Sequence, residues 1–315
     1  MSRSARYFHV AAWIWLLIAW ILHQPSPAEN ASDHTREGFH AAILVSRHIR
    51  PYMEALEGLS QGLTDTDELS HEVHILDKYD LEHQELTSSE IAGSRPDLLI
   101  SIGPEATSLA WDLSAELQVP VIYSMVLNPE DLGRAGPGSR GCGISLNIPP
   151  EIQLEKITSV LPGVRRLGVL FDPAINSARI RAIQDQAASH AVQVVPLSVE
   201  SAGALPGVLE QGLGMVDALW LIPDETVISQ ALVKYIIREG IYQGIPSIGY
   251  NRFFYDSGAA AAFVLDFHEI GQQTAHMARE WLVSGNCIRM IPSFEVLVNT
   301  RVLDKMDLYL GEERP

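Results

Sequence analysis

The sequence predicts an α/β protein of two lobes with parallel sheets joined by a three-crossover hinge, and three observations carry that expectation. The first is alternation: runs of four to seven aliphatic and β-branched residues are separated by amphipathic helical patterns, as in βαβ units whose strands are buried on both faces. The second is an internal repeat. Setting Asp97 on Asp217 aligns "DLLISIGPEAT" with "DALWLIPDETV" and places Glu105 on Glu225. In both halves a helix and then a proline-opened strand follow, "VPVIYSMV" and "IPSIGYN". The third is length, because 315 residues are about twice an ordinary domain.

In chain order, "HAAILVS" (40–46) reads as a strand and "PYMEALEGLSQGL" as an amphipathic helix. The strands "HEVHIL" and "PDLLISI" follow, then the helix "EATSLAWDLSAEL" and the strand "VPVIYSMV". The second half runs "RRLGVLFDP" strand, "INSARIRAIQDQAASHA" helix, "VQVVPLSV" and "DALWLIP" strands, "TVISQALVKYIIREG" helix and "IPSIGYN" strand. The Gly- and Pro-rich stretch 133–151 is the first candidate passage between lobes. A second lies at 258–271, where an alanine-rich strand gives way at Asp266 to a helix, and the strand "SFEVLVN" (293–299) provides the third. The expected division is residues 39–143 plus 266–290 for the first lobe and 144–265 plus 291–315 for the second.

Composition narrows the partners. With 39 acidic and 22 basic residues the formal net charge is −17, which argues against nucleic acid or an anionic membrane as the main partner. Arg3 and Arg6 precede an apolar run of 13 residues, Val10 to Leu22, and Ser26 and Ala28 then stand at the small-residue positions of a cleavage site. This is the pattern of a secretory signal over residues 1–28. A spanning helix needs ~20 apolar residues, so a retained anchor ranks second. No cysteine lies near that point, which excludes a lipid on a new N-terminal cysteine. The expectation is an exported acidic protein. Its two cysteines, Cys142 and Cys287, cannot be paired from spacing, and two isolated cysteines are more often small buried hydrophobes than a bridge.

In open α/β sheets ligands bind beyond the carboxyl ends of the strands. That rule nominates Ser46 and Arg47, "GPEAT" from Gly103 with Glu105 and Thr107, Asn128, Asp172, Asn176, "PDET" with Asp224 and Thr226, Tyr250, Asn251 and Asp266. For "GPEAT" and "PDET" a plain reading competes: such residues cap helices, worth ~1 kcal/mol, and acids favour the positive end of the helix dipole. The functional reading is that the same helix starts offer free N–H groups to a ligand carboxylate while a nearby Asp meets a ligand ammonium. Neighbours such as Asp224 and Glu225 diverge, which makes a catalytic pair a weak reading. Among aromatics near strand ends, Phe171 and Tyr250 stand where cleft walls are expected.

Other chemistry lacks support. His71 and His74 in "HEVH" fall on opposite faces of a strand, and His268 and His276 are too far apart for one ion, so no metal site is expected. There is no GxSxG elbow, no Walker motif and no dinucleotide fingerprint, so neither a catalytic residue nor a cofactor is expected.

These residues resemble a known family: the type I periplasmic solute-binding proteins of ATP-binding-cassette importers, in the branch that includes tryptophan- and tyrosine-binding members. The resemblance runs from about Phe39 to Leu310 and is carried by "EIQLEKITSVLPGVRRLGVLFDPAINSARI", "VDALWLIPDETVIS", "LDFHEIGQQTAHMAREWLVSG" and "FEVLVNTRVLDKMDL". It implies two Rossmann-like lobes that close on one small ligand in the periplasm and deliver it to an inner-membrane permease. It also implies ligand contacts at Thr107, Asn176, Ser177, Asp224 and Thr226, with Asp266 as the ammonium partner. Where relatives carry a small turn this chain has "GPEAT" with Glu105, and "SRHIRPY" adds Arg47 and Arg50 at the cleft mouth, which departs from an aromatic amino-acid site. The leading expectation is capture of a small amino-acid-like or related organic solute. The alternative is a ligand-sensing component of a signalling system, and an enzyme ranks third.

Overall fold

The computed structural model describes residues 38–64, 69–76, 81–132, 142–288 and 290–308. The signal-like segment 1–28 lies outside them, as do 133–141 of the first expected passage and the tail 309–315. The first sheet holds β1 (Phe39–Val45), β2 (Leu69–Ile75), β3 (Leu98–Ile102), β4 (Val121–Val126) and β5 (Gly143–Ser145), all parallel in the order β2-β1-β3-β4-β5. Helices α1 (Arg50–Thr64), α2 (Leu81–Ser94) and α3 (Pro104–Leu117) connect these strands.

The second lobe begins with α4 (Pro150–Val160) and continues β6 (Arg166–Phe171), α5 (Pro173–Ala187), β7 (Gln193–Ser198), α6 (Leu205–Gly212), β8 (Ala218–Leu221), α7 (Gln230–Tyr242), β9 (Ser247–Gly249), α8 (Arg252–Asp256) and β10 (Ala261–Leu265). Its parallel strands run β7-β6-β8-β9-β10, the same order as in the first sheet. After α9 (Phe267–Ser284), β11 (Phe294–Val298) adds antiparallel to β10, and α10 (Thr300–Lys305) follows.

The repeat seen in the sequence has a structural cause. Asp97, before β3, accepts the backbone N–H of His40 at 2.9 Å, and Asp217, before β8, accepts those of Arg165 and Arg166 at 2.9 and 2.7 Å. Each aspartate thus ties the entry of one strand to the entry of its parallel neighbour, whose opening N–H groups have no ladder partner below them. The strands themselves are buried throughout in β3, β4 and β8, which is why they read as continuous apolar runs.

The chain passes between lobes three times. Because β5 pairs with β4, the expected boundary at 143/144 falls inside β5, and the first passage is the stretch 146–149 leading to α4. Leu154 and Ile157 of α4 enter the second lobe's core with Val169 and Trp220. The second passage is Asp266: beyond it α9 leaves the second sheet and buries Ile270, Ala275 and Met277 against Ile43 and Ile100 of the first. Two glycines make that contact close. A Cβ on Gly58 of α1 would stand 2.0 Å from His268 O, and one on Gly271 of α9 would stand 2.0 Å from Ala55 O. The third passage, after α9, returns to β11.

The cysteines are not separate buried hydrophobes. Cys142, just before β5, and Cys287, in the third passage, form a disulfide with a Cα–Cα distance of 5.4 Å. Spacing could not reveal it because 145 residues separate the partners and only the return of α9 to the first lobe brings them together.

Candidate functional site

With this strand order each sheet reverses direction between its first and third strands, and the carboxyl ends there form the binding edge. In the first lobe the edge comprises the turns after β1 and β3. Ser46 is buried and its Oγ accepts the N–H of Ala106, in the first turn of α3, at 2.9 Å. Gly103 has φ of 94°, the left-handed region, and a Cβ there would stand 2.6 Å from Ser46 Oγ and 2.8 Å from the Tyr52 ring. Glycine is therefore what lets Ser46 and Tyr52 close over this turn. Glu105 pairs with the exposed Arg47. Burial raises the Tyr52 pKa, the Glu105 carboxylate adds to the rise, and Arg47 opposes it. Thr107 is fully buried, donates to Gly103 O at 2.7 Å and meets Ser101 Oγ at 2.9 Å, so its hydroxyl holds the turn. Asn128, after β4, accepts from Asn147 Nδ2 at 3.0 Å.

The second lobe's edge is a knot around Asp224, which is 3% exposed. Its Oδ2 accepts from Asp172 N at 2.7 Å and Asn176 Nδ2 at 2.8 Å, and its Oδ1 accepts from Thr226 N at 3.0 Å. Thr226 Oγ1 donates to Asp172 Oδ2 at 2.8 Å, and Asn176 also donates to Pro223 O at 3.3 Å. Asp224 and Thr226 therefore do not cap the following helix. Residues 225–227 form a turn, α7 starts at Gln230, and Ser229 caps it by accepting from Leu232 N at 3.3 Å. A buried carboxylate must find donors, and the β6–α5 turn with the first turn of α5 supplies two of them at close range. Glu225, by contrast, is exposed, and Ser177 donates to Pro173 O inside α5.

Tyr250 follows β9 with its ring 4.5 Å from that of Phe254. Its hydroxyl is buried with no hydrogen-bond partner. Burial, helped by the Asp224 carboxylate, pushes its pKa up to about 12. Phe171, expected at a cleft wall, is only 5% exposed and belongs to the second lobe's core.

Asp266 stands at the hinge. It is exposed, and its Oδ1 accepts from Glu269 N at 3.0 Å to cap α9. Beside it opens a cavity of about 470 Å³ lined from both lobes, with Arg50 and Glu54 of α1 facing Arg252, Ser293 and Glu295. Arg50 pairs with Glu54 at 2.7 Å and Arg252 with Glu295 at 3.5 Å. Sequence reasoning missed Tyr52, Glu54, Arg252 and Glu295. Arg252 had a signal, since it directly follows Asn251 in a nominated loop, whereas Glu54 and Glu295 sit inside a helix and a strand with nothing local to mark them.

The contacts uniting the nominated residues run within each lobe, Arg47 with Glu105 and Asp172, Asn176, Asp224 and Thr226 as one knot. Away from both edges, β2 is an edge strand, and the histidine that shares a carboxylate with His74 is His40 on β1. Their Nε2 atoms lie 3.2 and 3.7 Å from Glu72 Oε1, because residues 40, 72 and 74 share one sheet face. Burial alone would raise the Glu72 pKa, but the Ser94 hydroxyl and the two histidines bring it below the usual range. Among the described residues no group of three or more His, Cys, Asp or Glu side chains could hold a metal ion.

A family model described as ABC transporter substrate binding protein matches residues 47–313. The chain belongs to this family. Its two sheets of mostly parallel strands are those of a type I periplasmic solute-binding protein of ABC transporters, whose partners are a small-molecule ligand and a permease. Solved structures share the fold. A ligand-free, open substrate-binding protein with adhesive properties from Clostridium difficile is 17% identical with a TM-score of 0.71, covering 88% of this chain and 96% of that one. An ABC domain in complex with L-Trp from Streptococcus pneumonia is 17% identical with a TM-score of 0.55, covering 87% and 96%. A periplasmic ribose ABC transporter protein from Conexibacter woesei is 13% identical with a TM-score of 0.57, covering 86% and 95%. No match is found among curated proteins. Among the described residues no helix is long and apolar enough to cross a membrane.

Proposed function

We propose that this substrate-binding protein works in the periplasm, capturing a small amino-acid-like or related organic solute between its lobes and handing it to an ABC importer. The observation that carries the reading is that two sheets of the same strand order each bring a polar switch-point edge, and a hinge cavity draws residues from both lobes. Asp266 is the partner assigned to a ligand ammonium, since it is exposed at that cavity and the α9 cap engages its Oδ1. On the second lobe Asp224 acts by shaping the edge, and Tyr250 offers its hydroxyl. On the first lobe Arg47 and Glu105 stand at the rim, while Ser46 and Thr107 support the turn beneath. Export rests on the signal-like segment 1–28 and agrees with the Cys142–Cys287 bridge, which an oxidising compartment maintains.

Thermal scanning of the purified protein against amino acids, small organic acids and sugars tests this. A ligand that binds only the folded state at 100 times its Kd adds ~2.7 kcal/mol of stability, which a melting curve resolves. If no compound shifted the melting temperature and mass spectrometry found nothing co-purifying, solute capture would be abandoned.

A further inference from the structure

Charges that meet across the hinge cavity are divided evenly between the lobes. Arg50 and Glu54 stand on α1 of the first lobe, while Arg252 opens α8 and Glu295 lies in β11 of the second. Each lobe thus brings one guanidinium and one carboxylate to the same space, paired within the lobe at 2.7 and 3.5 Å. Neither pair contributes much to its own lobe. The Arg50 side chain is 88% exposed, and those of Arg252 and Glu295 are 60% and 57% exposed, so water screens what each pair gains. Arg50 also works against its helix. It is the first residue of α1, where the dipole favours an acid, and the first turn holds none. Glu54 follows it by four residues, so the cation precedes the anion, the weaker order for such a pair. A residue at odds with its local structure points to a use beyond it.

Arg50 engages Glu54 through Nε, and Arg252 engages Glu295 through one terminal nitrogen at the long limit of a hydrogen bond. A guanidinium carries five N–H donors in a fork, enough to bridge two carboxylates. Drawing the lobes together would let Arg50 reach Glu295 and Arg252 reach Glu54 without giving up the pairs already made. The four charges then form one ring of alternating sign. Closure also shuts water out from among Leu265, Phe267 and Phe294, which line the same cavity, and attraction between the lobes grows as the dielectric falls. Asp266, the remaining charged group of the lining, caps α9 through Oδ1 and stays outside the ring.

We propose that this ring latches the closed state: Arg50–Glu295 and Glu54–Arg252 are interlobe bridges that form when the lobes close and hold them shut. The inference rests on the proposed capture of a solute between the lobes. It assigns the four residues to closure, leaving contact with the solute to Asp266 and the strand-end loops.

Charge exchange tests the latch, because it predicts a result that pairs confined to each lobe cannot give. Arg50→Glu and Glu295→Arg each set like charges across the cavity as well as within a lobe. Combined, they place two acids on α1 against two arginines on the second lobe, so both interlobe bridges return while both intralobe pairs stay broken. Small-angle scattering follows closure as a smaller radius of gyration. The titrant is a mixture of the protein amino acids, ribose, galactose and succinate, with any solute that mass spectrometry finds in the purified protein added to it. The expected half-maximal concentration is about 10-fold above the parent's in each single variant and within about 3-fold of it in the double variant. Melting temperatures of the ligand-free variants should stay near the parent's, since both side chains are exposed. A double variant no better than the singles would overturn the latch and leave solute capture standing. Loss in Arg50→Glu with Glu295→Arg unchanged would give Arg50 to the solute and overturn the latch as well. A parent that does not contract with this mixture would overturn closure on a solute and the latch together.

Discussion

Tyr250 places a hydroxyl in a buried position without a partner, 4.5 Å ring to ring from Phe254 and within the field of Asp224. Nothing in the free protein's stability calls for that oxygen. Replacing Tyr250 by Phe should therefore leave the ligand-free protein within about 0.5 kcal/mol of the parent or above it, since a buried unpaired polar group is removed. The same change should weaken solute binding. A pH dependence follows as well: the folded phenol ionises at about 12, against about 10 in the unfolded chain, so its neutral form is the one the fold accepts. Stability is complete below the unfolded value and is lost as pH rises through the folded one. Urea midpoints of parent and Tyr250→Phe should agree at about pH 8 and separate at about pH 11, with the variant higher. Equal midpoints at both values would place the hydroxyl in contact with water. Position after a strand nominated Tyr250 in the sequence, but the isolation of its hydroxyl depends on Phe254 and the second lobe's packing.

At the scale of elements, Asp224 binds the turn after β8 to the turn after β6. Asp224→Ala would leave Asp172 N, Asn176 Nδ2 and Thr226 N without their acceptor, and these losses should cost about 2–3 kcal/mol, read as a lower urea midpoint. A variant of parental stability would show that water replaces the carboxylate. Most elements were legible. The strands β1, β3, β4, β6 and β8 announce themselves as apolar runs because both faces are covered, and α1, α3, α5, α7 and α9 as helical patterns, while α2, α4 and α6 go unread between their strands. The start of α7 was misplaced by four residues, because "PDET" has the composition of a cap and only the partner turn at Asp172 draws Asp224 away from that role. The short β5 and α8 left too few residues to show a period.

At the scale of the whole molecule, the Cys142–Cys287 bridge ties the third passage to the edge of the first sheet. Closing a loop of 145 residues removes unfolded-state entropy worth, on a chain-entropy model, at most roughly 5 kcal/mol. Reduction, or Cys142→Ser with Cys287→Ser, should lower the denaturation midpoint by ~2–4 kcal/mol equivalent. Identical curves with and without reductant would mean the bridge does not form in solution. The sequence by itself determined the two-lobed design, the internal repeat of its α/β pattern and the three passages, since hydrophobic period, proline and glycine act within a few residues of where they stand, whereas the strand order came from the structure. Only the tertiary structure decided that Gly58 and Gly271 let α9 pack closely on α1, that the cysteines meet, and that Asp224 serves Asp172 rather than a helix. It alone also set Arg50 and Glu54 opposite Arg252 and Glu295. Those contacts join residues from 52 to more than 200 positions apart, and their energy exists only once the backbone has brought them together.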